Sequence, residues 1–161
     1  MAGEIKFHLG IKAIVRNEAG KVLLLQVRPE ELAGYSGPAY WDIPGGRIQW
    51  DSVVRDEGTD QINWPDTVLK TLEREVKEET GLTGIVAVRP FSFVISNVSY
   101  PVESGEIVGL LLRSYICNIQ EIGEITLSQE HIDYKWFEPS EASELLKKKF
   151  PNEFCEAIAD L

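Results

Sequence analysis

The chain has 161 residues, of which 43% are hydrophobic and 26% are charged, and its formal net charge is -10. We expect a chain of this length and composition to form one globular domain with a sizeable core. Its negative charge argues against a nucleic acid or an anionic membrane as partner, because both attract basic surfaces. A small phosphorylated substrate stays compatible with this charge, because a bound cation reverses the sign of the local field.

The sequence predicts a cytoplasmic protein. Its longest apolar run, residues 107–112, is far too short to span a bilayer, and the first residues lack the apolar centre of a signal peptide. Cys117 and Cys155 fall in a predicted strand and a predicted helix. We interpret them as buried free thiols in a reducing compartment.

The chain begins with two predicted strands, residues 7–16 and 21–28. A turn signal, N-E-A-G, separates them, so we expect the two strands to pair as a hairpin. The second contains a continuous apolar run, V-L-L-L, which is typical of a strand buried on both faces. A polar loop with several Gly and Pro residues then leads to the sequence W-D-I-P-G-G.

A helix is predicted over residues 67–80, which contain no Gly or Pro and many strong helix formers. Asp66 or Thr67 is the expected cap at its start, and Gly81 suits the left-handed position just past its end. After it we predict strands at residues 85–88, 91–95, 107–119 and 134–137, then helices at residues 139–149 and 151–161, the third strand being central. This order predicts an α/β fold, a mixed β-sheet with helices on both faces.

The predicted central helix carries three clustered carboxylates, Glu75, Glu78 and Glu79. A helical wheel places Glu79 on the apolar side, Glu75 at its border and Glu78 further round. Burying an unpaired charge is costly, so a positive group should meet these acids, and a hard divalent cation such as Mg²⁺ prefers oxygen ligands. The alternative is a solvated amphipathic helix with pairs such as Arg74 with Glu78.

The sequence R-E-V-K-E-E-T-G-L at residues 74–82 resembles the core of the Nudix box, and the upstream P-G-G resembles its opening turn. The resemblance implies one Nudix-like domain over residues 1–161, an α/β/α sandwich with a mixed β-sheet between helices. Residues 47–65 stand between Gly46 and Asp66, where the family pattern has five, so the box is split by an insert of about fourteen residues. Either Asp66 or Asp51 then fills the first acidic position of the box.

The resemblance implies a metal-dependent pyrophosphohydrolase that cleaves a phosphoanhydride in a nucleoside diphosphate linked to another moiety. Its implied ligands for Mg²⁺ or Mn²⁺ are Glu75, Glu78, Glu79 and the backbone carbonyl of Gly46. Arg74 would orient a glutamate, and Glu130, in a loop outside the box, is our candidate for an additional ligand or general base. The predicted substrate contacts are Arg47, Tyr40, Trp41, Tyr100 and His131.

Tyr100 follows the box at a distance that resembles members acting on dinucleoside polyphosphates, and Pro101 beside it resembles a looser ADP-ribose marker. We therefore rank these two substrate classes slightly above a nucleoside triphosphate. The competing interpretation is a catalytically silent Nudix-fold module that binds a nucleotide or a protein, because the insert at residues 47–65 could block the site. The sequence leaves open whether the protein forms a homodimer.

Overall fold

The computed structural model describes residues 4–31, 37–102 and 104–161, apart from the side chains of Glu31 and Tyr100. Within these described residues, eight strands form two sheets. The larger sheet has the order β4-β1-β7-β5, with β6 paired to β7. Its strands are β1 (Phe7–Val15), β4 (Gly45–Arg47), β5 (Ile85–Ile95), β6 (Tyr100–Pro101) and β7 (Ile107–Ile119).

The smaller sheet has three antiparallel strands in the order β3-β2-β8. They are β2 (Val22–Val27), β3 (Trp41–Asp42) and β8 (His131–Phe137). The helices are α1 (Trp64–Thr80), α2 (Pro139–Leu146) and α3 (Asn152–Ala159), with short 3-10 turns at Pro29–Glu31 and Trp50–Ser52. Of the helices in the described part of the chain, none is long and apolar enough to cross a membrane.

Two buried clusters confirm the predicted α/β fold with helices on both sides of the strands. One cluster joins Leu72 and Val76 of α1 to Ile11 on β1, while the other joins Phe150 and Phe154, near the C-terminus, to the opposite side of the strands. The large sheet is mixed as predicted, because β1 runs parallel to β7 and antiparallel to β4. Cys117 and Cys155 are buried and free, in agreement with the sequence.

The predicted hairpin of the first two strands is wrong. β1 and β2 share only a single bridge, between Arg16 and Val22, and they belong to different sheets. β1 is buried on both faces from Gly10 to Val15, and it lies between β4 and β7. β2 is equally apolar and takes the centre of the smaller sheet. Two strands that are each buried on both faces therefore serve as the centres of separate sheets.

Several element boundaries differ from the sequence prediction. The strands expected at residues 85–88 and 91–95 are one strand, β5, whose register shifts beside Pro90. β6 lies between the strands expected at residues 91–95 and 107–119, β8 begins earlier at His131, and α2 ends at Leu146. The predicted cap of α1 at Asp66 or Thr67 is wrong, because the helix starts at Trp64 and the Asn63 side chain accepts a hydrogen bond from the Asp66 backbone N–H.

The predicted end of α1 is confirmed. Gly81 has a φ of 73° and its N–H donates to the Lys77 carbonyl. A residue in this left-handed conformation ends a helix at low cost only when it lacks a side chain. The end of α1 is thereby fixed directly after the three glutamates.

Candidate active site

Two glycines allow the strand before α1 to lie directly against the helix. Gly45 has a φ of +134°, and a Cβ there would lie 2.2 Å from the Ile11 carbonyl oxygen. A Cβ on Gly46 would lie 2.5–2.7 Å from the carboxyl atoms of Glu75. The Gly45 N–H donates to Oε2 of Glu79 across 2.8 Å. The Gly45–Gly46 turn and the glutamates of α1 therefore form one packed unit.

The three glutamates differ in exposure as the helical wheel predicts. Glu75 and Glu79 are buried, with relative exposures of 8% and 7%. The side chain of Glu78 is 58% exposed. Two carboxylates therefore lie inside the protein, and the third lies at the surface one position before Glu79.

Arg74 joins the glutamates to the strand and to the insert. Its Nη2 lies 2.6 Å from Oε1 of Glu75, and its Nη1 lies 3.1 Å from Oε2 of Glu78. Nη2 also donates to the Arg47 carbonyl across 3.0 Å, and Nε donates to Oγ of Ser52 across 3.2 Å. A planar guanidinium with this many donors fixes the direction of the Glu75 carboxylate. Its predicted orienting role stays a prediction.

A buried network of charges, which no sequence pattern predicts, lies behind the Gly45–Gly46 turn. Lys12 Nζ donates to Oδ2 of Asp42 across 2.8 Å, and Lys149 donates to the same oxygen. Lys12 also donates to the carbonyls of Ile43 and Gly45. The two lysines and Asp42 are each no more than 5% exposed. Residues far apart in the chain thus place positive charge near the buried glutamates, where a pattern in sequence cannot show it.

Burial raises the pKa of Glu79 to about 8, although Lys12 and the Gly45 N–H oppose the shift. Burial also raises the pKa of Glu75, and Arg74 opposes it. Two carboxylates that burial disfavours as anions gain free energy by meeting a cation. Carboxylate and carbonyl oxygens are also the ligands that Mg²⁺ prefers, so these residues fit a hard divalent cation in their chemistry.

The described side chains do not form a complete set of metal ligands. Among the described residues, no group of three or more His, Cys, Asp or Glu side chains is placed to hold a metal ion. The ion pair with Arg74 holds Glu78 at the surface. The structure thus brings Glu75 and Glu79 together with the glycine turn, and it does not bring in Glu78.

We expect the stability of the metal-free protein to depend on pH through Glu79. Its folded pKa of about 8 exceeds the pKa of 4.5 of an exposed glutamate. Between these pH values the folded state holds a proton that the unfolded state has lost, so Glu79 lowers stability progressively as pH rises. The stability advantage of Glu79→Gln over the wild type should grow from pH 4.5 to pH 8 and then level off. Urea unfolding in EDTA measures it, and parallel pH profiles would contradict the assignment.

Glu130 is exposed and lies in the loop that contacts the C-terminal end of α1, and its role as ligand or base stays a prediction. Ser128 donates its N–H to the Glu79 carbonyl across 3.2 Å, two residues before Glu130. His131 is buried, and its Nδ1 lies 3.1 Å from Oγ of Ser128. Burial lowers the pKa of His131 to about 4, so its ring is neutral at pH 7 and offers phosphate no charge.

The other predicted substrate contacts lie in different surroundings. Arg47 is exposed and its Nη1 lies 3.1 Å from Nδ1 of His8. Tyr40 is 5% exposed, so its ring has little face for a ligand. Trp41 packs edge-on against Phe137 in the smaller sheet, with ring centroids 5.0 Å apart. The side chain of Tyr100 lies outside the described part of the chain.

The insert at residues 47–65 runs along the first half of α1. Lys70 Nζ donates to the Asp51 carbonyl across 2.5 Å, and the Val54 N–H donates to Oγ1 of Thr67 across 3.0 Å. Asp66 lies nine residues before Glu75, roughly 13 Å away along the helix axis. No hydrogen bond joins Asp51 or Asp66 to the buried glutamates, so the first acidic position of the box stays open.

We expect Gly46→Ala to impair catalysis more than folding. The new methyl group would overlap the Glu75 carboxyl, which the Arg74 ion pair holds in place. The carboxylate must therefore shift, and misplacing a reacting or ligating group costs roughly 10²-fold in rate. A kcat lowered by about this factor, with a nearly unchanged urea midpoint, is the expected result. Gly123→Ala provides a matched control, since a Cβ there meets nothing within 4 Å and its backbone is not left-handed.

Comparison with known proteins gives a family match over nearly the whole chain. A model of the NUDIX domain matches residues 6–158. No curated protein sequence matches the chain significantly. Because the matched range includes both the Gly45–Gly46 turn and α1, the match covers all the residues described above.

Several solved structures share the fold. The MutT protein from Methanosarcina mazei Go1 has a TM-score of 0.62 and 23% identity, covering 99% of this chain and 97% of that chain. An E. coli dihydroneopterin triphosphate pyrophosphohydrolase has a TM-score of 0.58 and 18% identity, covering 97% of both chains. A C. elegans Ap4A hydrolase has a TM-score of 0.54 and 21% identity, covering 95% of this chain and 96% of that chain. At such identities the likeness concerns the fold alone.

Proposed function

Because the chain belongs to the NUDIX domain family, whose members are hydrolases of phosphoanhydride bonds, we propose that it is a metal-dependent pyrophosphohydrolase. Its substrate would be a nucleoside diphosphate linked to another moiety. Family members generally use divalent metal ions, and Mg²⁺ or Mn²⁺ is the proposed cofactor here. One observation carries the proposal: the Glu75 and Glu79 carboxylates are buried against a glycine turn, where burial disfavours their negative charge.

The proposed ligands of the cation are Glu75, Glu79 and the Gly46 carbonyl, with Glu78 joining when it leaves Arg74. A cation bound there would screen the phosphate charges and lower the pKa of a coordinated water. The protein's own contribution is orientation. Arg74 fixes Glu75 through a 2.6 Å ion pair, and the Gly45 N–H fixes one oxygen of Glu79. Preorganised groups of this kind lower a barrier because they need not reorganise during the reaction.

Glu130 is the proposed general base. It is exposed, it lies in the loop that contacts the end of α1, and a carboxylate can accept the proton of an attacking water. Proton transfer by a positioned side chain typically contributes 10²–10⁴-fold to the rate. Glu130 is placed outside the buried carboxylate pair, so it can act on water without competing for the cation.

The decisive experiment is a substrate panel. Purified protein with Mg²⁺, then Mn²⁺, is incubated with nucleoside triphosphates, ADP-ribose, nucleotide sugars and dinucleoside polyphosphates. Phosphate release after coupled phosphatase treatment measures turnover, and EDTA provides the metal-free control. Metal-dependent release from one class supports the proposal and names the substrate.

Dinucleoside polyphosphates and ADP-ribose stay slightly favoured on the resemblance around Tyr100. One structurally similar protein is an Ap4A hydrolase and another acts on dihydroneopterin triphosphate, so both types of compound belong in the panel. Absence of turnover across the whole panel, from folded protein, would contradict the hydrolase and favour the silent binding module. The insert makes no hydrogen bond to Glu75 or Glu79, and it contacts Arg74 instead.

A further inference from the structure

The face of the large sheet that carries α1 is only partly covered by it. Ile11 on β1 and Tyr115 on β7 belong to the buried cluster beneath α1. Further along the same sheet, Phe93 and Ile95 on β5 are 56% and 55% exposed. Large apolar side chains exposed side by side on an ordered strand commonly mark a binding surface. The uncovered area around Phe93 and Ile95 is therefore a candidate binding surface.

The strand register places this area beside the carboxylate pair. Gly46 pairs with Ile11, Ile11 with Arg113, and Arg113 with Phe93. Residues opposite each other on neighbouring strands point to the same face of a sheet, so all of these residues face the α1 side. Strands are about 4.8 Å apart, which puts Arg113 roughly 10 Å and Phe93 roughly 15 Å from Gly46 along this row. Gly46 itself lies against the Glu75 carboxyl.

Among the described side chains, Arg113 has no anionic partner. It is half-buried and its guanidinium lies 5.5 Å from the ring centroid of Tyr115. Within residues 4–31, 37–102 and 104–161, no ion pair or hydrogen bond is found for its guanidinium. In a chain of net charge -10, a half-buried guanidinium next to a carboxylate site is well placed for a ligand's anionic group.

We infer that this row binds the nucleoside end of the substrate, with Arg113 on a phosphate and Phe93 stacked against the base. The inference rests on the proposed function and assigns its substrate to compounds with an aromatic base. The order along the row is carboxylates, cation, then aromatic ring, and it matches the order anhydride, phosphate, base in a nucleotide. A second copy of the chain is disfavoured as the occupant, because it would have to cover the unpaired charge of Arg113 as well as Phe93 and Ile95.

Phe93→Ala and Arg113→Met test the assignment, with kcat and KM measured for the best compound of the panel. For a substrate whose base stacks on Phe93, the Phe93→Ala variant should have a KM raised roughly 10-fold and a kcat within twofold of the wild type. The reason is that the lost contact stabilises the bound substrate and the transition state equally. Inhibition by inorganic tripolyphosphate, which has no base, should be unchanged in Phe93→Ala and roughly 10-fold weaker in Arg113→Met. Val86→Ala and Arg89→Ala, exposed positions on the same strand, provide matched controls.

Unchanged KM values in both variants would overturn the inference. Variants that change the oligomeric state and leave KM unchanged would overturn it in favour of a second copy of the chain as the occupant. The dissociation constant of α,β-methylene-ADP, measured by calorimetry with Mg²⁺, separates this failure from failure of the hydrolase. If the wild type has no turnover but binds this nucleotide, and both variants bind it more weakly, the hydrolase fails and the subsite stands. If the wild type does not bind it, or all proteins bind it equally, the subsite fails.

Discussion

Replacing Glu79 by Gln is expected to reduce kcat by roughly 10²-fold or more while the protein stays folded, because losing a cation ligand should cost at least as much as losing a group that only orients one. The Gln side chain has nearly the same shape, and its carbonyl oxygen can still accept the hydrogen bond from the Gly45 N–H. It cannot supply a negative charge to a cation. The loss should therefore appear in turnover and in the affinity for Mn²⁺, measured by calorimetry, whereas the urea midpoint of the metal-free protein at pH 7 should rise, because Gln removes the buried titrating group.

Glu73→Gln is the matched control for this prediction. Glu73 lies on the same helix, carries the same charge and is exposed, away from the glycine turn. Its replacement should leave kcat and Mn²⁺ affinity unchanged. Equal activity of Glu79→Gln and the wild type would remove Glu79 from the site, whatever the family match. A loss of activity that accompanies unfolding would instead show that the carboxylate is structural.

Replacing Asp42 by Ala should destabilise the protein by about 3–5 kcal/mol, the usual cost of removing one member of a buried ion pair. Two lysines donate to its carboxylate, and they would be left as uncompensated buried charges. Burial tends to raise the pKa of Asp42, but the two lysines outweigh it and lower that pKa to about 2. Urea unfolding at pH 7 measures the loss.

A double replacement separates charge imbalance from lost packing. In Asp42→Ala with Lys149→Met, one buried lysine is removed together with its partner, so part of the stability lost in Asp42→Ala should return. Non-additivity of this kind is expected between residues that share one contact. Simple addition of the two single effects would contradict the view that the lysines are held in the core by Asp42.

The central helix and its glutamates could be predicted because their evidence is local. The 3.6-residue period places Glu79 on the apolar side, and the structure has it 7% exposed. The hairpin prediction failed because strand pairing depends on burial across the whole sheet, and a turn signal between β1 and β2 carries no information about β4, β7 and β8.

Other parts of the candidate site could not be predicted from the sequence. Lys12 and Lys149 meet at Asp42 from distant parts of the chain, and no spacing rule connects them. Phe93 and Arg113 become neighbours only through the register of β5 on β7. The aromatic residues close to the glycine turn in sequence, Tyr40 and Trp41, lie instead in the core and in the smaller sheet.

The insert at residues 47–65 is closed on itself close to α1. A bridge between Arg55 and Ile62 closes its tip, residues 56–61, and the Val54 N–H donates to Oγ1 of Thr67 on the helix. The entropic cost of closing the tip is therefore confined to the tip itself, and it grows only slowly with the number of residues there. Insertions or deletions within the tip should therefore leave the backbone before Arg55 and after Ile62 in place. The tip is thus a suitable place to attach a fluorophore or an affinity tag without disturbing Glu75 and Glu79.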